Sequence, residues 1–123
     1  MDSEKTQSSF VKVLVADAER SARFYAALGF ERLHAEPPFI HLRWEGQADV
    51  YLVTLPGGRG LEGRRGVGVL LGFRVGAEGL EALAEKARAE GAGVEGPTLQ
   101  PWHTREIVVT DPDGYRLNFI ERA

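Results

Sequence analysis

The sequence predicts an α+β fold of two tandem βαβββ modules forming a curved sheet around a concave trough. Three observations predict it. The order strand, helix, strand, strand, strand is written twice, at a period of about sixty residues. Each of two amphipathic stretches follows a strand-like run and ends in glycine, at Gly29 and Gly91. The chain closes on two strand-forming runs around Asp111-Pro112-Asp113-Gly114, a sequence that sets a hairpin turn. Each half alone is a small curved sheet with only one face covered by a helix. Side by side, the halves bury their helix faces and leave the trough.

Taken in order, residues 1–9 are polar and without periodicity, a disordered or tag-like start. A single domain then spans 10–123, with module one at 10–56, a linker at 57–66 and module two at 67–121. Phe10 to Val15 alternates, and Val11, Val13 and Val15 face a core. Asp17 caps a helix whose inner face carries Ala18, Ser21, Ala22, Phe24, Tyr25 and Leu28. Gly29 ends it in the left-handed conformation, and Phe30 packs back on its last turn. Strands follow over Phe30 to His34, Phe39 to Trp44 and Val50 to Leu55, separated by Pro37-Pro38 and Gly46-Gln47. After the glycine-rich linker, Val67 to Val75 reads as a strand. Leu80, Leu83, Ala84 and Ala87 mark the second helix, and Val94 begins a short strand ended by Pro97. The hairpin pairs Arg105 to Thr110 with Tyr115 to Glu121; Pro112 presets φ, and Gly114 supplies a positive one.

Composition bounds the function. The 123 residues suit one domain, and 27% charged with 43% hydrophobic residues places it among soluble globular proteins. A net charge of −3 gives no reason to expect nucleic acid or an anionic membrane as partner. The absence of cysteine rules out disulfides and thiolate metal sites. No apolar run approaches the roughly 20 residues of a membrane span, and the polar start is no signal peptide. A cytoplasmic protein is the default.

Two stretches carry a resemblance. Trp102-x-x-Arg105-Glu106-x-x-Val109-x-Asp111-Pro112-Asp113-Gly114-x-x-Leu117-x-Phe119 resembles the closing strands of the vicinal-oxygen-chelate superfamily. This is the family of glyoxalases, extradiol dioxygenases and bleomycin- or fosfomycin-resistance proteins. Val13-Leu14-Val15-Ala16-Asp17, Ser21, Phe24-Tyr25 and Leu28-Gly29-Phe30 look like its opening strand and helix. The resemblance brackets nearly the whole chain. It implies a ligand in the trough and a homodimer.

In that family the enzymes usually hold a metal through a His or Gln early in the first strand, a Glu in the fourth, a His in the fifth and a Glu in the eighth. Here those positions fall on Phe10, on Tyr51 or Val53 depending on register, on Leu70 and on Asn118. Phenyl, phenol or isopropyl, isobutyl and carboxamide groups do not replace imidazoles and carboxylates around a divalent ion. A shift of two residues would substitute Lys12, Gly72 or Arg116, none of which chelates. The sequence therefore resembles the metal-free branch, whose bleomycin-resistance members sequester a drug without chemistry. The expectation is a small-molecule-binding protein without cofactor, leaning away from an enzyme. The alternative is a metal-dependent lyase, isomerase or dioxygenase with an atypical site around His41 and His103.

Other candidates complete the ligand-binding set. His34, His41 and His103 lack metal-binding spacing, so ordinary strand or loop histidines are the favoured reading. His41 and Arg43 lie opposite Ile40, Leu42 and Trp44; they face the trough, toward an acidic or carbonyl-bearing ligand, or are simply solvated. Trp102 stacks on a planar ligand at the rim, or is a core or interface tryptophan. His103 follows it where related sequences often carry glycine. Lys12 and Arg74 share the trough face with Phe10 and Leu70 and suit an anionic ligand, or pair with an internal acid such as Glu106. Residues 57–66 lack the Lys-Ser/Thr of a phosphate loop and read as linker. No nucleophile elbow exists, and the turn accounts for Asp111 and Asp113.

Overall fold

A computed structural model describes residues 9–54, 66–76 and 79–122. Residues 1–8, most of the predicted linker (57–65) and Leu55 lie outside the described set. Module one comprises β1 (Phe10–Leu14), α1 (Ala18–Leu28), β2 (Glu31–Glu36), β3 (Phe39–Trp44) and β4 (Ala48–Val53). Module two repeats the order with β5 (Leu71–Arg74), α2 (Gly79–Ala89), β6 (Val94–Leu99), β7 (Thr104–Thr110) and β8 (Arg116–Arg122). The sheet is divided in two, ordered β1-β4-β3-β2 and β5-β8-β7-β6. In each, the pair β1–β4 or β5–β8 is parallel and the rest antiparallel.

Local chemistry sets the element ends. Asp17 caps α1 by accepting the Arg20 N–H at 3.1 Å, and Gly29 ends it at φ +117°. Phe30 turns back to donate its N–H to the Tyr25 carbonyl, and its ring meets Tyr25 edge-on. Gly91, at φ +84°, ends α2 in the same way. In the β7–β8 turn, the Asp111 carbonyl accepts the Gly114 N–H, and Asp111 Oδ1 accepts the Asp113 and Tyr115 amides.

Alternation along the strands sends one face of each sheet to the helices. Ile40, Leu42 and Trp44 on β3, Val50 and Leu52 on β4, and Ile107, Val109, Leu117 and Phe119 on the hairpin are buried with the inner faces of α1 and α2 in one core. An aromatic cluster joins the modules through that core: Phe30 meets Phe73 at 5.1 Å, and Trp44 meets Phe119 at 5.4 Å.

Three expectations need correction. The predicted strand Val67–Val75 shrinks to Leu71–Arg74, because Gly66 and Gly68 take positive φ and turn the chain before it. Val11 is not a core residue; it is 40% exposed on the edge strand β1. Pro97 does not end the short strand after Val94. As the edge strand of its sheet, β6 needs no N–H there, and the ladder skips from Glu95 to Thr98 around Gly96-Pro97. At that bulge a Cβ on Gly96 (φ +97°) would lie 2.6 Å from the Glu106 carbonyl oxygen. Gly96→Ala is expected to cost about 1–3 kcal/mol in urea unfolding.

Candidate functional site

The helix-free face of the first sheet is organised in rungs. Strand pairing sets Lys12 beside Tyr51 and Tyr51 beside His41; the next rung runs Phe10, Asp49, Arg43. The Tyr51 ring contacts Phe10 at 5.2 Å and Phe39 at 5.7 Å, and stacks on His41 at 4.4 Å with 7° between the planes. Asp49 Oδ1 accepts Arg43 Nε at 2.8 Å and bonds His41 Nε2 at 2.9 Å. The Arg43 hydrogen bond, helped by His41 and opposed by desolvation, holds the Asp49 carboxyl below the ordinary aspartate value. Lys12 Nζ lies 5.9 Å from the Phe10 ring centroid.

Sequence reasoning missed Asp49. Its signal was available: it stands two residues before Tyr51, on the same strand face, across the turn from Arg43.

On the second sheet the corresponding centre is Glu106. Its Oε2 accepts Thr104 Oγ1 at 2.6 Å and Trp102 Nε1 at 3.0 Å, and its Oε1 accepts Asn118 Nδ2 at 3.2 Å. The Thr104 bond is the main cause holding this carboxyl below the ordinary glutamate value, with Trp102 and Asn118 adding to it against desolvation. Among the described residues its side-chain donors are neutral and it forms no ion pair with Lys12 or Arg74. Trp102 is 64% exposed and so outside the core. His103 has φ +71°, which supplies a physical reason for glycine at such a position.

Most of the predicted site residues fall into these two groups, and a cleft adjoins the first. Phe10, Asp49, Leu70 and Gly72 line a cleft of about 310 Å³ where the start of β1 approaches β5. Leu70 lies just ahead of β5, and Asn118, on β8, pairs with Gly72. Arg74 stands elsewhere, lining a larger cavity of about 940 Å³ between the modules with Trp44, Phe73 and Lys86. His34 pairs with Glu36 on β2. His41 stands on β3 and His103 in the turn between β6 and β7, and they are not brought into one cluster among the described residues.

Pairing of β1 with β4 sets Asp49 beside Phe10, Tyr51 beside Lys12 and Val53 beside Leu14. Around Phe10 the side chains are therefore the Tyr51 phenol, the Lys12 ammonium and the Asp49 carboxylate, the last already engaged by Arg43 and His41. Asn118 gives its amide N–H groups to Glu106 and to the Ile107 carbonyl. Among the described residues no three His, Asp or Glu side chains converge to hold an ion. These side chains do not fit the divalent metal of the family's enzymes.

Comparison with known proteins agrees with the fold. A family model described as the glyoxalase/bleomycin resistance protein/dioxygenase superfamily matches residues 7–119. A search of curated proteins gives no match. Among solved structures, a hypothetical protein from S. aureus is 26% identical, with a TM-score of 0.77 and 94% of each chain covered. A bleomycin-binding protein complexed with bleomycin is 19% identical at a TM-score of 0.66, with 96% of this chain and 100% of that chain covered. Fosfomycin resistance protein FosX from Mesorhizobium loti is 18% identical at a TM-score of 0.74, covering 95% of this chain and 92% of that chain. With the doubled βαβββ order and a match over residues 7–119, this chain belongs to the glyoxalase/bleomycin resistance protein/dioxygenase superfamily.

Proposed function

We propose that the protein binds a small molecule in a metal-free trough formed by the helix-free sheet faces and sequesters it, acting as a cytoplasmic homodimer. The observation that carries the reading is the donor set: Phe10, Tyr51, Leu70 and Asn118 offer carbon, phenol and amide where the family's enzymes need imidazole and carboxylate. The aromatic rings around Tyr51 and the exposed Trp102 supply the flat apolar surface that small-molecule sites use. Likeness of fold to a bleomycin-binding protein adds a precedent for ligand binding.

Elemental analysis of protein purified without chelator tests it. The expected result is no stoichiometric divalent ion; one tightly held ion per trough would overturn the metal-free reading. The dimer rests on exposed apolar residues beside the cleft, with Phe10 55%, Val69 52% and Leu70 50% exposed. Sedimentation of the wild type is expected to give a dimer, and Leu70→Glu a shift to monomer. A wild-type monomer at micromolar concentration would remove that part of the proposal.

A further inference from the structure

We propose that His41 is a proton acceptor on the helix-free face of the first sheet, fixed to take the proton of a weakly acidic O–H, so that the site selects planar phenol- or enol-type ligands. The proposal rests on the trough reading and goes beyond it by naming the ligand chemistry.

The argument starts from Asp49. Its carboxylate accepts from Arg43 Nε and has no proton to give, so its bond to His41 Nε2 requires the N–H on that nitrogen. In the neutral imidazole the lone pair is then on Nδ1. Parallel stacking on Tyr51 at 4.4 Å pins the ring, and turning it over would break the Asp49 bond. Among the described residues Nδ1 has no partner, and the His41 side chain keeps 16% of its surface exposed. An acceptor is thus oriented and, among the described residues, left without a donor.

The surroundings suit a flat acid. Phe39 lies alongside Tyr51, and Phe10 flanks it on the other side. The proton step balances without a co-reactant. The ligand O–H bond breaks, an N–H bond forms at Nδ1, and a neutral pair becomes an oxyanion beside an imidazolium. Lys12, in the same rung beyond Tyr51, places a cation near the oxyanion. Arg43, bonded to Asp49, and Glu31, paired across from Arg43, are the other charged groups beside His41. His34, opposite His41 on β2, is held by Glu36. Tyr51 supplies the stacking face.

The probe is 4-nitrophenol, whose phenolate absorbs in the visible, titrated with the full chain at a pH where the free probe is mainly protonated. Wild type is expected to raise the phenolate band saturably. His41→Gln is expected to weaken binding about tenfold or more and to abolish the band. Asp49→Asn retains a partner for Nε2 but not the charge, and is expected to bind the probe without the band. The methyl ether 4-nitroanisole, which has no proton to give, is expected to bind about tenfold more weakly. An unchanged band in His41→Gln, equal binding of the ether, or no saturable binding by the wild type would each overturn the proton acceptor. None of these would supply a metal ion, so the metal-free reading stands or falls by elemental analysis alone.

Discussion

Trp44→Ala is expected to lower the unfolding free energy by about 3–5 kcal/mol. The indole is only 6% exposed and lies where the two modules meet. It packs on Phe30 from its own module, with ring centroids 4.9 Å apart, and on Phe73 and Phe119 from the other, at 6.0 and 5.4 Å. Alanine leaves a cavity walled by three rings that cannot all close on it. Nε1 also donates to the Arg74 carbonyl at 2.8 Å, at the end of edge strand β5. Trp44→Phe keeps most of the ring contacts and loses that bond; it is expected to cost about 1–2 kcal/mol. Urea unfolding followed by far-ultraviolet circular dichroism reads both, since the fluorophore is what changes. A loss below about 1 kcal/mol for alanine would mean that the cluster does not join the modules.

Asp111→Ala is expected to cost about 3 kcal/mol or more, because one buried carboxylate serves two structures. Its Oδ1 organises the β7–β8 turn, while Oδ2 accepts the Tyr25 hydroxyl from α1 at 2.6 Å. Tyr25→Phe removes only the second bond and leaves the carboxylate short of a donor, at a cost of about 1.5–3 kcal/mol. Burial, with the Asp111 charge and hydrogen bond adding to it, pushes the Tyr25 hydroxyl well above its ordinary value, so it remains a donor across the usable pH range.

The same site has a pH signature with a definite sign. Burial raises the Asp111 carboxyl above its ordinary value of 3.8, more than the Tyr25, Tyr115 and Asp113 bonds lower it. A carboxyl raised in the folded state contributes stability that is complete below the unfolded value and is lost as pH rises through the folded one. The gap in stability between wild type and Asp111→Asn is therefore expected to be widest below about pH 3.8 and to narrow above it. Asp49 and Glu106 titrate in the opposite sense, their stabilisation fading as pH falls, but both variants share them and they cancel in the comparison. A gap that widens with rising pH would show that the hydrogen bonds outweigh burial.

Much of the fold was legible because its causes are local. The Asp17 cap, the left-handed Gly29 and Gly91, and the Asp111–Gly114 turn each depend on residues within one turn of chain. The stripes of α1 and α2 and the alternation on β3 follow from helix and strand periods, so His41 and Arg43 read as opposite Ile40, Leu42 and Trp44 from sequence alone. Reading failed where the cause lay elsewhere. Pro97 looks like a strand end until β6 is known to be an edge. Asp111 and Asp113 look fully employed in their turn. Yet Asp111 reaches Tyr25 across 86 residues of sequence, and Asp113 accepts the Ala16 N–H across 97 and the Ser21 hydroxyl across 92.

By itself, the sequence determined the element order, the caps and turns and the doubled module, since periodicity and short-range backbone chemistry suffice for those. The tertiary structure alone decided that Asp49 gathers His41 and Arg43, that Glu106 is held by neutral donors and that Trp44 joins the halves. These depend on cross-strand register and on the meeting of the two modules, set by which surfaces the core buries together and not by any neighbour along the chain.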